Sequence, residues 1–401
     1  MGYGLVGCEI KKSRRENGMF SLPLRLLLCC LFLILICLVV APLASDRLPI
    51  NTPEIVMPVL EPEIVDPIHT VVTTAIPAAS TITQQKDSII DQYLKNENFN
   101  GTVLIGSQGN IILKKAYGMA NYNKEIVNQI DTKFLVGSIT KSFTAMLVMQ
   151  LEEKGSLNLD DPISKFLPEY PNGNKITIHH LLTHTSGLPY YYSYNYDTPI
   201  LKVINRIGEI PLLFEPGNRF SYSSPGYLIL AYIIEKITGK PYEDVLDENI
   251  FQVAGMDNSG YFHRKTPDIK IAIGKNNYGT TMDLGGSIQL THGSGSLYST
   301  IEDMYLWDRA LYTDILVSSE TLKKIFKPYV SVNSYDFYGY GWLISDNGKL
   351  VSHSGHISGG GIGIISRFIE EDTVIILLSN IEAEDPEMVD RISRKIKLLL
   401  S

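Results

Sequence analysis

Beyond position 37 this 401-residue sequence has no cysteine; its four, Cys8, Cys29, Cys30 and Cys37, all lie near the N-terminus. Whatever the rest of the chain folds into must therefore rest on its core and not on disulfides. Basic residues are also in short supply, with 35 Lys and Arg against 43 Asp and Glu, a net charge of −8. The first 25 residues carry a net +3, which leaves −11 for the remainder. An acidic chain of that kind has no electrostatic footprint for nucleic acid, and no nucleic-acid partner is expected. Internal repeats are absent, and the single biased segment is the tyrosine run YYYSYNY at 190–196, which reads as a surface loop. His180 and His184 stand at i, i+4, but the first is not followed by the Glu of H-E-x-x-H, so no metal is expected. Gly359 to Gly363 is Gly-rich yet lies between two strand-like runs with no P-loop Lys, which excludes a nucleotide cradle; no cofactor is called for.

What the chain does have is apolar content, 44%, enough for a sizeable core. Lys11, Lys12, Arg14, Arg15 and Arg25 precede an uncharged run, residues 26–43, of about the length a membrane-spanning helix needs. The expectation is a basic cytoplasmic tail at 1–25, an anchor at 26–43 and the remaining chain outside the cytoplasm. A cleaved signal peptide, giving a secreted protein, is the competing reading. Prolines at 49, 53, 58, 62, 67 and 77 make 44–81 a spacer of extended conformers. Residues 82–401 form the remaining domain.

Within it, 84–96 has helical apolar spacing, followed by two strand-like runs, GTVLIG and NIILKKAYG, joined at Gln108-Gly109-Asn110. Residues 143–151 are apolar nearly all round, as in a buried central helix that Gly155 ends. Thr177, Ser224-Pro225 and Ser299-Thr300-Ile301-Glu302 read as further helix starts, with Ser224 as a cap. Strand signals return after Tyr335, in DFYGYGWLIS, KLVSHS, GIGIIS and TVIILLSN, and an amphipathic helix at 387–400 closes the chain. Strands early and late with helices between predict an α/β (α+β) fold: an antiparallel β-sheet flanked by helices, with a mostly helical inserted subdomain.

Ser138-x-x-Lys141 is the single Ser-x-x-Lys in the chain. Three residues on a helix turn a side chain by about 300°, so the two share a face one turn apart. A lysine deprotonated by burial could then accept the serine proton. The alternative is a serine capping a helix beside an ordinary lysine. Two other elements could join them. Tyr222-Ser223-Ser224 precedes a helix, and in KLVSHSGH His353 would end a strand, with Gly355 permitting close backbone approach.

Ser138/Lys141, Tyr222/Ser224 and His353/Gly355, in that order, resemble the serine β-lactamase and penicillin-binding superfamily, in the branch of class C β-lactamases, D-alanyl-D-alanine carboxypeptidases and β-lactamase-like esterases. LEEKGSLNLDDPISKFLPEYP, ITIHHLLTHTSGLP, GYLILAYIIEKITGKPYEDVLDENIF and GSGSLYSTIEDMYLWDRAL carry the resemblance between the motifs. It implies a β-lactamase/transpeptidase-like fold with Ser138 as acylated nucleophile and Lys141 as its proton acceptor or electrostatic partner. Tyr222 would be the proton shuttle, and which of Lys141 and Tyr222 is the base stays open. The backbone N–H groups of Ser138 and His356 would form the oxyanion hole, with Ser224, His353 and Gly355 binding substrate and His353 beside its carboxylate. Two positions depart from the class C pattern: Ser224 stands where that class has Asn, and His353 replaces Lys, exchanging a permanent charge for one that titrates near neutrality. The reading is a membrane-anchored serine hydrolase acting on a peptidoglycan-type D-alanyl peptide, a β-lactam or an ester, with the carboxypeptidase type favoured. An esterase on this fold is the runner-up, and a catalytically weak envelope-binding protein is the alternative of another class.

Overall fold

The computed structural model describes residues 81–400 apart from 195–197, 263–269, 276–278, 282–291, 358–360, 383–384 and 386. The expected tail, anchor and nearly all of the spacer lie outside the described residues. The expectation of a membrane-anchored chain is corrected on this ground. No helix among the described residues is long and apolar enough to cross a membrane, so no anchor is shown.

The chain opens with helix α1 (Thr81–Asn96) and the hairpin β1 (Gly101–Ser107) and β2 (Asn110–Tyr117). Its Gln108-Gly109 turn has positive φ at both residues, the twist that a tight hairpin needs. Six strands follow 200 residues later: β3 (Val330–Ser331), β4 (Phe337–Tyr338), β5 (Leu343–Ser345), β6 (Leu350–Ile357), β7 (Gly361–Phe368) and β8 (Thr373–Ser379). Together the eight form one sheet of order β2-β1-β8-β7-β6-β5-β4-β3, antiparallel throughout. The two ends of the chain meet where β1 pairs with β8, Thr102 opposite Leu378.

Alternation along these strands sends side chains to two different cores. Val103, Ile105, Ile375 and Leu377 pack with Ile90 and Leu94 of α1 and with Val389, Ile392 and Ile396 of the C-terminal helix, Met388–Leu400. Leu104, Val351, Val374, Ile376 and Leu378 face the larger core, built with the inserted helices. These include α2 (Thr140–Glu153), α3 (Ile178–Leu182), α4 (Ser224–Thr238) and α5 (Ile301–Ala310). The fold is thus the expected one, an antiparallel sheet flanked by helices. Helix α2 runs through the larger core, and every residue from Thr140 to Leu151 is buried.

Two expected helix starts shift by one residue. Ser223, not Ser224, caps α4: its backbone is extended and its Oγ accepts the Gly226 N–H at 3.3 Å, so Ser224 is already the first helical residue. Thr300 caps α5 by accepting the Asp303 N–H at 3.2 Å, because Ser299 is still paired in a short strand with Phe134. Thr177 caps α3 as expected, and His180 completes a capping box by accepting the Thr177 N–H on Nδ1 at 3.2 Å.

Candidate active site

Ser138 does not cap α2. It sits in a single 3-10 turn, Gly137–Ile139, that leads into α2, and neither the turn nor the helix has a side-chain cap. The serine hydroxyl is therefore not consumed by the backbone. Instead Lys141 Nζ reaches it at 3.1 Å, and the same nitrogen donates to the Ser294 carbonyl at 2.9 Å. Lys141 is 0% exposed, and among the described residues no carboxylate pairs with it. Burial alone pushes its pKa down from 10.5 to about 7. A neutral amine that spends one N–H on Ser294 keeps a lone pair for the Ser138 proton.

Strand β6 passes directly beside this turn, and glycine is what lets it. A Cβ added at Gly355 would stand 1.9 Å from the Val136 carbonyl oxygen and 3.1 Å from the Ser138 nitrogen. Gly137 has φ +53°, and a Cβ there would meet the His356 nitrogen at 2.9 Å. The backbone nitrogens of Ser138 and His356 are thereby drawn to the same corner, the arrangement an oxyanion hole requires.

Tyr222 comes from the other side, just ahead of α4. Lys141 Nζ lies 4.8 Å from the centre of its ring. Burial raises the Tyr222 pKa above its ordinary 10, and a hydrogen bond with the Ser138 side chain opposes this only in part. The phenol thus holds its proton at pH values where Lys141 has lost one. Tyr190, from the tyrosine run, stands exposed with its ring 6.0 Å from that of Tyr222, so part of this run borders the site. The Ser224 N–H donates to the Tyr190 carbonyl at 3.0 Å, which ties the run to the head of α4.

His353 departs from expectation in two ways. It lies in the interior of β6, not at its end, on the face shared with Val351 and the larger core. It also does not titrate near neutrality: burial, with Lys141 adding to it, pushes its pKa down to about 3. Its Nδ1 stands 2.6 Å from the Ser354 carbonyl, to which only a protonated Nδ1 can donate. Nε2 is then the acceptor for the Tyr338 hydroxyl at 3.0 Å. Both ring nitrogens are engaged within the protein, and the ring is neutral. Exposed His356 instead turns its imidazole to Glu382, 3.5 Å away.

One residue at the site escaped the motif reading. His184, considered there only as half of a metal pair, is fully buried against Tyr222, with ring centres 4.2 Å apart. Its sequence context, a histidine following a short helix, gives no sign of this; the contact is made across 38 residues.

The chain compares closely with known proteins over this whole region. The family model described as Beta-lactamase matches residues 87–399. The chain is 33% identical over 322 residues to the putative penicillin-binding protein PbpX of Bacillus subtilis (strain 168), covering 80% of each. It is 27% identical over 313 residues to the teichoic acid D-alanine hydrolase of Staphylococcus aureus (strain MRSA252), covering 77% of each. Among solved structures, a penicillin binding protein from Bacillus halodurans superposes with a TM-score of 0.69 at 29% identity, over 77% of this chain and 98% of that one. A matched family model spanning most of the chain, together with these relatives, accounts for the fold and for the order of the three motifs: the chain belongs to the beta-lactamase family, within the superfamily of serine β-lactamases and penicillin-binding proteins.

Proposed function

We propose that the protein is a serine hydrolase that works through an acyl-enzyme on Ser138, with Lys141 as general base and Tyr222 as proton donor to the leaving group. The observation that carries the reading is the buried lysine without a carboxylate partner, whose Nζ stands 3.1 Å from Ser138 Oγ. Ser138 Oγ attacks the acyl carbon as its proton passes to neutral Lys141. The N–H groups of Ser138 and His356 receive the oxyanion. As the acyl bond to the leaving group breaks, Tyr222 gives its proton to the departing heteroatom and is reprotonated by the Lys141 ammonium. Water then repeats the sequence on the acyl-serine, and the enzyme is restored. The contrast between a lysine held near pKa 7 and a tyrosine raised above 10 supports this division of roles.

The acyl group in this reading is D-alanyl or an analogue, in keeping with relatives named for penicillin binding and for teichoic acid D-alanine hydrolysis. His353 favours esters over peptides or β-lactams that present a free carboxylate, because a neutral ring with both nitrogens engaged offers that carboxylate neither charge nor a spare donor. The test is incubation of the protein with a labelled penicillin and, separately, an activated phosphonate, followed by peptide mass mapping. A single adduct on Ser138 that is absent from Ser138→Ala supports the reading. Labelling that persists in the variant refutes it, and no labelling by either probe favours a binding protein on this fold.

A further inference from the structure

His184 grips Tyr222 at three points. The Ser221 N–H donates to the His184 carbonyl at 2.9 Å, and the Ser223 N–H donates to His184 Nδ1 at 3.0 Å. Between those two hydrogen bonds lies Tyr222, whose ring stacks on the imidazole with centres 4.2 Å apart and planes inclined by 33°. One residue therefore fixes the peptide groups on both sides of the tyrosine and the plane of its phenol. To do so His184 adopts φ +58°, the left-handed region that a bulky side chain seldom enters. Tyr227, Tyr338 and Phe220 close round the same imidazole, with ring centres 5.1, 4.7 and 5.8 Å away. Burial, with Lys141 and His353 adding to it, holds the ring far below its usual pKa, so that Nδ1 stays an acceptor.

We propose that His184 is a positioning residue that sets the Tyr222 phenol for proton delivery to the leaving group during acylation of Ser138. The inference rests on the reading of Tyr222 as that proton donor. In the step concerned, the Ser138 Oγ–acyl bond has formed and the bond from acyl carbon to leaving heteroatom breaks. That heteroatom takes the phenol proton, and the phenolate recovers one from the Lys141 ammonium. A misplaced phenol slows this step only when the leaving group needs a proton. A nitrophenolate leaves without one, whereas an alkoxide or amide does not.

The experiment compares two D-alanyl esters, one of p-nitrophenol and one of a simple alkyl alcohol, by the rate of acylation of the full chain and of four variants. Tyr222→Phe is expected to lose about 10²-fold or more on the alkyl ester and only a few-fold on the nitrophenyl ester. His184→Leu should show the same selectivity, with about a 10- to 100-fold loss on the alkyl ester. His184→Asn should retain most of the wild-type profile, because its Oδ1 stands where Nδ1 does and asparagine tolerates positive φ. His184→Gln places its amide too far out to meet the Ser223 N–H and should behave like the leucine variant. A loss of equal size on both esters in His184→Leu, with Tyr222→Phe still selective, overturns the inference and leaves the proton-donor reading standing. A Tyr222→Phe variant without selectivity removes both. Should His184→Leu fail to fold, the asparagine and glutamine variants decide, and identical profiles for those two overturn the inference.

Discussion

Two cations are buried in this molecule, and they have opposite fates. Arg367, 1% exposed on β7, donates through Nε to Asp308 at 2.7 Å, and Asp308 is itself 0% exposed. Arg309 completes the cluster by reaching both Asp308, at 2.5 Å, and Asp372, at 2.7 Å. The guanidinium lies among the rings of Tyr312, Phe326 and Trp342. Lys141, equally buried, has a carbonyl and a serine hydroxyl but no carboxylate among the described residues. An arginine does not give up its proton in a protein, so it is buried only with a counter-charge. A lysine can, and burial without a counter-charge is what turns it into a base. The first arrangement fixes the sheet to α5, and the second arms Ser138.

The comparison can be broken at its functional end first. Ser138→Ala should reduce covalent labelling and turnover by on the order of 10⁴-fold or more while leaving the thermal unfolding midpoint nearly unchanged, since the hydroxyl caps nothing. Mass spectrometry of the phosphonate-treated protein and a melting curve check both halves.

Lys141→Met should lower the acylation rate by about 10³-fold and yet make the protein more stable at pH 7 by a few kcal/mol. The sign follows from the folded pKa of about 7 lying below the ordinary 10.5. Between those values the unfolded chain binds the extra proton, so wild-type stability rises with pH across that window and the advantage of the methionine variant shrinks. Urea unfolding at pH 7 and pH 10 measures it. Lys141→Arg sharpens the contrast, because it puts at this position a cation that cannot neutralise itself; it should be inactive and less stable than wild type.

At the other end, Asp308→Asn strands the Arg367 charge and should cost about 3–5 kcal/mol. Denaturant titration checks the cost. The variant's pH-rate profile should keep the wild-type midpoint, since the cluster makes no hydrogen bond to Lys141. The smallest effect is expected at His353. A histidine held at about pKa 3 has no proton to lose near neutrality, so the ratio of rates on carboxylate-bearing and neutral donors should change by less than about 3-fold from pH 5 to pH 8. A fall in that ratio through pH 6.5 would restore the imidazolium reading.

The sequence announces its local features and conceals those made by distant contacts. The strands, α2 and the helix starts at Thr177 and near Ser224 are legible because alternation, apolar runs and caps are properties of neighbouring residues. Ser138, Lys141 and Tyr222 are legible as a motif. The state of His353 is not, because its neutrality is imposed by burial and by Tyr338, 15 residues away in sequence. Nor is the grip of His184 on Tyr222, which depends on the loop after α3 packing against the segment that leads into α4. The membrane anchor was read from 26–43, a run outside the described residues, and among those residues no helix could serve as one.

The most direct test of the central claim is the pre-steady-state rate of Ser138 acylation by a neutral activated ester, measured from pH 5 to pH 10. With Lys141 as a base whose burial sets its pKa near 7, the rate should rise tenfold per pH unit at the acid end, bend near pH 7 and level off above it. A rate that is flat across this range, or that still climbs toward the ordinary lysine value of 10.5, would contradict it.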